Sequence, residues 1–509
     1  MATRYDRMAH LLRRAGFGAR PDEIDNYLKI GFTATVEQLV NYETVAENPS
    51  LPPTPITRDN TFNIRLLTPE DTAAWWIEVM TKTRRPLQER MVLFWHDHFA
   101  TAVLKVGAPN GYKFLYWQNL LFRQHATGNF RSLVKAINRD PAMLWWLDNY
   151  LNVKGSPNEN YARELFEIFT LGLDAFFAGA YTEPDVQQAA RAFTGWGLLC
   201  GDNLMRCAAD QDRFNEQNGP LATPAEVIQI PPNTPDNSIA SQRHDYTDKT
   251  VFGRTGNFNG DDIVDLVFDL EPQRSYAAKM ICKKLFEYFA HENPEPHVVD
   301  HLAAVALRSN FDLKTILRDL FLNTKEFYSD KAMHALVKWP AYYAVSAVRL
   351  TQAAINARQV YGGGFGGVNI IPSSIAAMGQ VLLNPPDVFG WPGKSDWITT
   401  SQLFARANFA NNLVTARGTA PSPPGIPIDT VLTTAGLNVN STAEQVVDYF
   451  ISLLVQAPLH PELRQLLIDY MKKDDNGNIG TFRLDDATKD KKVRGLIHLL
   501  LARPEAQTF

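Results

Sequence analysis

Apolar residues recur along almost the whole chain at three- and four-residue spacing, the period of a helix with one face buried. Leu87 to Trp95, Tyr276 to Phe289, Leu313 to Leu322, Val337 to Leu350 and Val446 to Val455 all carry this pattern. Strict alternation is scarce and short, with Val227 to Ile230 and Thr481 to Leu484 as the best strand candidates. The expected fold is therefore all-α: a multi-helix globular array with long irregular loops and at most short hairpins. The proline-rich stretch 48–57 reads as a connector after the first helices. Residues 201–248, polar and rich in Pro and Asn, are too long for a routine turn and read as a covering loop. A second irregular region spans 362–367 and 418–428.

Two motif look-alikes weigh little. Gly362, Gly364 and Gly367 fit G-x-G-x-x-G, but no strand precedes them and no βαβ unit surrounds them. Asp474-Asp-Asn-Gly-Asn-Ile-Gly has its glycine too early for a calcium loop, and Asp485 stands where a bidentate Glu is needed. A helix–helix connection is the expected reading. Residues 316–327 and 496–506 share a shape, an apolar helix with a polar break before Glu; one such pair does not make a repeat.

The composition is that of an ordinary globular protein, 45% hydrophobic and 21% charged, with a formal charge of -5. No basic field recruits nucleic acid. Three cysteines exclude a disulfide scaffold: Cys282 lies in an apolar helix, and Cys200 and Cys207 are either loop thiols or a local bridge. No apolar run reaches the roughly 18 residues of a membrane span. The N-terminal residues lack an apolar signal core, so a cytoplasmic location is expected.

Four segments carry candidate chemistry. In Phe94-Trp-His-Asp-His-Phe99, a continuous helix would turn His96 and His98 about 200° apart. They converge on one metal only if the helix ends or distorts near Asp97. His96, Asp97 and His98 are thus either metal ligands or an acid/base pair, or else core groups bonded to their surroundings. A first-row divalent ion such as Zn²⁺ suits that ligand set. The second segment begins with Ser156-Pro-Asn-Glu, which predicts a capping box and a helix over 157–171. On it Asn160, Arg163, Glu164 and Glu167 form a polar stripe beside Tyr161, Leu165 and Ile168. The stripe is either a solvated face of ion pairs or a source of catalytic carboxylates from Glu164 and Glu167, neutralised by Arg163.

The third segment predicts a helix over 183–194, capped by Thr182, with Arg191 among small residues and in need of a carboxylate or an anion. The short link between the two helices favours antiparallel packing, with Arg191 and the Glu164 stripe turned toward His96 and His98. The fourth candidate is His244, a loop histidine beside Asp245. No Gly-x-Ser-x-Gly, P-loop, His-Glu-x-x-His or Cys-x-x-Cys occurs.

Several segments together resemble a known family. His10-Leu-Leu-Arg-Arg-Ala-Gly-Phe-Gly18, Phe94-Trp-His-Asp-His-Phe99, Gly128-Asn-Phe-Arg131, Arg139-Asp-Pro-Ala-Met143 and Asn158-Glu-Asn-Tyr-Ala-Arg-Glu-Leu165 are similar to the bacterial domain-of-unknown-function family 1800. Tyr181-Thr-Glu, Ala192 to Trp196, His244-Asp245, Gly253 to Asp262 and Pro392 to Trp397 continue the likeness in order. It implies a helical family core over 1–415, with the 201–248 loop as an insertion, and a C-terminal helical segment over 416–509 packed on it. It also implies exported relatives that work beside a sulfatase-like partner protein or a glycan. Two functions follow as expectations. One is a metal-assisted enzyme acting on a polysaccharide or a small polar substrate through Glu164, Glu167, Arg163, Arg191 and His244. The other is a non-catalytic binding or assembly protein whose buried polar groups fix helix packing.

Overall fold

Helix after helix begins on a cap supplied by the local sequence. Asp312 accepts the Thr315 amide at 2.9 Å and starts Leu313–Leu322. Thr442 and Gln445 form a capping box that starts Ala443–Leu454. Proline stands at the head of Pro86–His98, Pro296–Arg308, Pro340–Leu350 and Pro461–Lys472, where its missing N–H is no loss. These elements belong to a computed structural model that describes residues 3–52, 56–58, 64–66, 69–106, 111–198, 227–229, 244–354, 370–416, 425–457, 459–474 and 476–509.

The chain is 62% helical, as the periodicity predicts. Sheet among the described residues is limited to short antiparallel pairs, Ile56–Arg58 with Ile64–Leu66, Trp196–Leu198 with Val227–Gln229, and Lys249–Val251 with Arg254–Gly256. No described helix is long and apolar enough to cross a membrane.

Several details differ from expectation. Thr481 to Leu484 finds no partner strand among the described residues and is not a strand. The helix expected from Val337 starts at Pro340, because Val337 bridges Thr508 and Lys338 donates its amide to Gln507 at 2.7 Å. Asp474 is a turn residue, its Oδ1 accepting the amides of Asn476 and Asn478. Cys200, Cys207, the 362–367 glycines and nearly all of 201–243 lie outside the described residues.

The Pro86–His98 helix runs through the core, with every residue from Glu89 to His96 buried. A helix polar on no exposed face must pair its charges internally. Glu89 does so. Its Oε2 accepts the Trp76 indole N–H at 3.0 Å, and both oxygens take the fork of Arg123, at 2.8 and 2.7 Å. That pair ties together helices Pro69–Lys82, Pro86–His98 and Gly111–Gln124.

Candidate acid–base site

The helix stays regular through Asp97 and ends at His98, where the Phe99 amide still bonds Trp95. The two imidazoles therefore point to opposite sides. His96 stands among the rings of Trp76, Phe122 and Trp391, at 5.5, 6.4 and 5.2 Å. Its Nε2 has no partner, and burial holds its pKa down at about 3. His98 lies against Phe94, Trp95, Phe99, Phe130 and Phe169 instead. Among the described residues no three of His, Cys, Asp or Glu converge on a metal position. The expected ligand set His96, Asp97 and His98 does not come together, because regular helix geometry separates its members.

What seats His98 is an irregularity in the following helical segment. The helix begins at Asn160, not at Pro157, because Ser156 bridges Val153 and Asn152 holds the Asn158 amide. The capping box of Ser156 and Glu159 does not form. From Leu165 to Thr170 the turns widen into a π-helix. The buried residues explain the widening: Tyr161, Leu165 and Phe169 form one row, and Ala162, Phe166 and Thr170 the next. Four α-helical residues overshoot a full turn by about 40°. A wider turn cancels that drift and keeps Phe169 inside, while Ile168, expected in the apolar stripe, is only half-buried.

The carbonyls at the end of that helix have no intrahelical donors. Phe169 O lies 3.1 Å from His98 Nε2, and Ile168 O accepts from Lys284 Nζ at 3.2 Å. Lys284 Nζ also lies 3.1 Å from His98 Nδ1. A carbonyl only accepts and an ammonium only donates, so His98 is the neutral tautomer with its proton on Nε2. Burial, and then the charge of Lys284, push its pKa well down.

Asp97 completes the group. Its Oδ1 accepts the Trp391 amide at 2.8 Å, and Oδ2 has no partner among the described residues. Burial lifts its pKa to about 7 against the pull of the Trp391 amide and Lys284. Lys284 is lowered by burial, with Asp97 and Glu287 pulling the other way. Two of its N–H groups are used, and the third has no partner among the described residues. An acid and an amine, both shifted toward neutrality and both only partly buried, thus act on each other electrostatically, with His98 bonded to the amine.

The segment over Asp97 fits because residue 390 is glycine. Gly390 has φ of +89°, and a Cβ there would fall on Asp97 Oδ1, Cγ and O, all closer than 3.0 Å. Gly390→Ala should push this segment off Asp97 and cost about 1–3 kcal/mol. The check is a lowered urea midpoint, with faster amide exchange at Trp391 than in the wild type.

The remaining predicted residues form separate networks. Helices Asn160–Glu164 and Glu183–Ala192 pack antiparallel, as expected, with Tyr161 against Phe193 and Phe166 against Tyr181. The stripe faces outward from this pair. Arg163 bonds Glu183 at 2.7 Å, Glu159 at 3.1 Å and Glu167 at 3.3 Å. Glu164 is half-buried, and burial together with Glu167 raises its pKa. Neither Glu164 nor Glu167 makes a hydrogen bond or ion pair with His96 or His98, so the expected single cluster is not formed. Arg191 finds its carboxylate in Asp245 at 2.8 Å, and the pair holds Asp245 below the usual carboxylate range. His244 is buried, not an open loop ligand. Its Nδ1–H donates to Thr194 O at 2.6 Å beneath Gly195, where no Cβ would fit.

Lys284 escaped the sequence reading. Its signal is positional: Ala277, Ile281, Lys284 and Tyr288 share one helix face, so a lysine sits where an apolar residue is due. No curated protein and no solved structure matches the chain. A family pattern does, over residues 10–508, and it runs through His98, the π-helix, Lys284 and Gly390 alike. The chain belongs to that family, described as "Protein of unknown function (DUF1800)".

Proposed function

We propose that the protein is an enzyme moving a proton at a small polar substrate held between Asp97 and Lys284. One observation carries this reading: Asp97 Oδ2 and the third N–H of Lys284 are both unpartnered beside a neutral, fully bonded His98. A carboxyl with a pKa of about 7 is matched to accept or donate a proton near neutral pH. His98 is the positioning group, since it holds Lys284 against the helix end. Of the substrate classes the sequence suggested, a small polar molecule fits better than a polysaccharide, because the segment around Gly390 lies directly on Asp97. No step needs a metal.

The test is a panel of chromogenic phosphate, sulfate, acyl and glycosyl esters, assayed with wild type, Asp97→Asn and Lys284→Met. An activity lost by about 10²-fold or more in both variants supports the reading. An activity equal in all three proteins overturns it.

A second reading has its own observation. Val381, Phe389, Ile398, Leu403 and Phe404 are all exposed, Phe389 by 72% and Phe404 by 67%. Large apolar side chains gathered in one stretch suit a protein partner, such as the sulfatase-like protein the resemblance implies, or a glycan. In that case Phe389→Ser would abolish partner capture and leave the panel silent throughout.

A further inference from the structure

The family-like motif at the N-terminus builds something the acid–base site does not use. Arg13 and Arg14 end the helix Arg4–Arg14 and are 3% and 0% exposed. Arg90 and Lys338, from two other segments, are 2% and 5% exposed. No carboxylate of the described residues stands within 4.0 Å of any of the four. Buried cations are ordinarily paired with an anion, because burial removes their hydration.

Carbonyls and rings meet part of the demand. Arg14 Nη2 donates to Ala332 O, and Arg90 Nε to Arg14 O at 3.3 Å. Arg13 Nη1 reaches Gln456 Oε1 at 3.2 Å, and Nη2 faces His334 Nε2 at 3.4 Å. The Arg14 guanidinium lies over Phe509 at 4.6 Å and that of Arg90 over Tyr288 at 4.4 Å. Arg406, close by, is satisfied by Trp397 O, Gln507 Oε1 and Lys338 O. Much is left over. Among the described residues, the Nε of Arg13 and the Nε and Nη1 of Arg14 are buried without a partner.

The groups feel one another. After burial, Arg13 is the largest influence lowering both Lys338 and His334, and the largest lowering Arg14. A plain structural role would place one such cation on a carbonyl or a ring. A run of buried cations in which Arg13 bears on Lys338 and on Arg14, and Arg90 bears on Arg14, with donors of Arg13 and Arg14 left unused, calls for a negative charge among them.

We propose that this cluster is a binding site for a tetrahedral oxyanion of the phosphate or sulfate type, held by Arg13, Arg14, Arg90 and Lys338. The donors arrive from three separate segments, which suits an acceptor with several oxygens in different directions. A planar carboxylate would be served by a single guanidinium fork. His334 and Gln456, which both contact Arg13, are only half-buried, so the cluster lies nearest to solvent on their side. The ligand is either the free ion or the charged end of a small ester.

The experiment is calorimetric titration of the full chain with sodium phosphate, sulfate, acetate and chloride at constant ionic strength, with melting temperature followed in parallel. Saturable heat and a rise in melting temperature with phosphate or sulfate, and not with acetate or chloride, is the expected result. A methyl monoester of whichever oxyanion binds better separates the free ion from an ester end. Lys338→Met and Arg13→Gln should each weaken binding roughly tenfold or more. If Arg13→Gln does not fold, Lys338→Met decides, because it removes a buried charge while keeping the side-chain length. Equal responses to all four anions, no saturation, or unchanged affinity in Lys338→Met would overturn the proposal.

Discussion

Glu89→Ala is expected to cost about 3–5 kcal/mol of stability, the usual penalty for stripping one partner from a buried ion pair. Glu89 is 2% exposed and serves the fully buried Trp76 indole, which cannot find water if the carboxylate is lost, and the half-buried Arg123. The Arg123 guanidinium would remain charged against Trp75, at 4.8 Å, and the Trp76 indole N–H would face apolar side chains. Three helices meet at this carboxylate, so the loss should appear in the global transition and not as local fraying. Glu89→Gln separates the contributions: it keeps an acceptor for Trp76 and loses only the charge, so its cost should be smaller. Urea melts followed by circular dichroism measure both. A midpoint for Glu89→Ala equal to wild type would show that the pair contributes nothing net.

His96→Phe should remove much of the acid sensitivity of the fold. In the folded protein burial depresses the His96 pKa to about 3, while in the unfolded chain it lies near the ordinary imidazole value of 6.5. A depressed folded pKa means that below 6.5 the unfolded chain takes up a proton that the folded one refuses. Stability is then full above pH 6.5 and falls as pH drops toward 3. Between pH 6.5 and 4.5 the single imidazole accounts for about 2 kcal/mol. Phenylalanine fits the same ring cage of Trp76, Phe122 and Trp391 and has no proton to bind. Stability curves of wild type and variant should converge above pH 7 and separate steadily below 6, with the variant the more stable. Parallel curves would mean that His96 is protonated in the folded state.

The helices were legible because their signal is local. Leu313–Leu322 needs only its own period and the Asp312 cap, and it appears with the bounds the pattern predicts. Asp97 and His98 were legible as polar types inside an apolar run, but their roles were not. Which of them opens to a ligand depends on carbonyls from the Leu165–Thr170 segment and an amide from Trp391, contacts fixed by packing and invisible to spacing. Arg163 shows the opposite limit. Its i,i+4 pairs with Glu159 and Glu167 were visible in the sequence, but its shortest bond goes to Glu183, on the next helix. Arg13 and Arg14 stood in the most recognisable motif of all, yet nothing local said that a lysine over 300 positions away would join them.

The widened turns between Leu165 and Thr170 amount to one residue more than a regular helix would use. Deleting a single residue there would restore an ordinary helix, keep the flanking turns in register and redirect the carbonyls that the widened turns now aim outward. The carbonyls of Ile168 and Phe169 would swing away, although every side chain of the site would remain in the sequence. Relatives that keep His98 and Lys284 but differ by one residue between Asn160 and Gly172 would therefore share the letters of the site without its seat. Chain length across that interval, as much as residue identity, is therefore what keeps Lys284 in place.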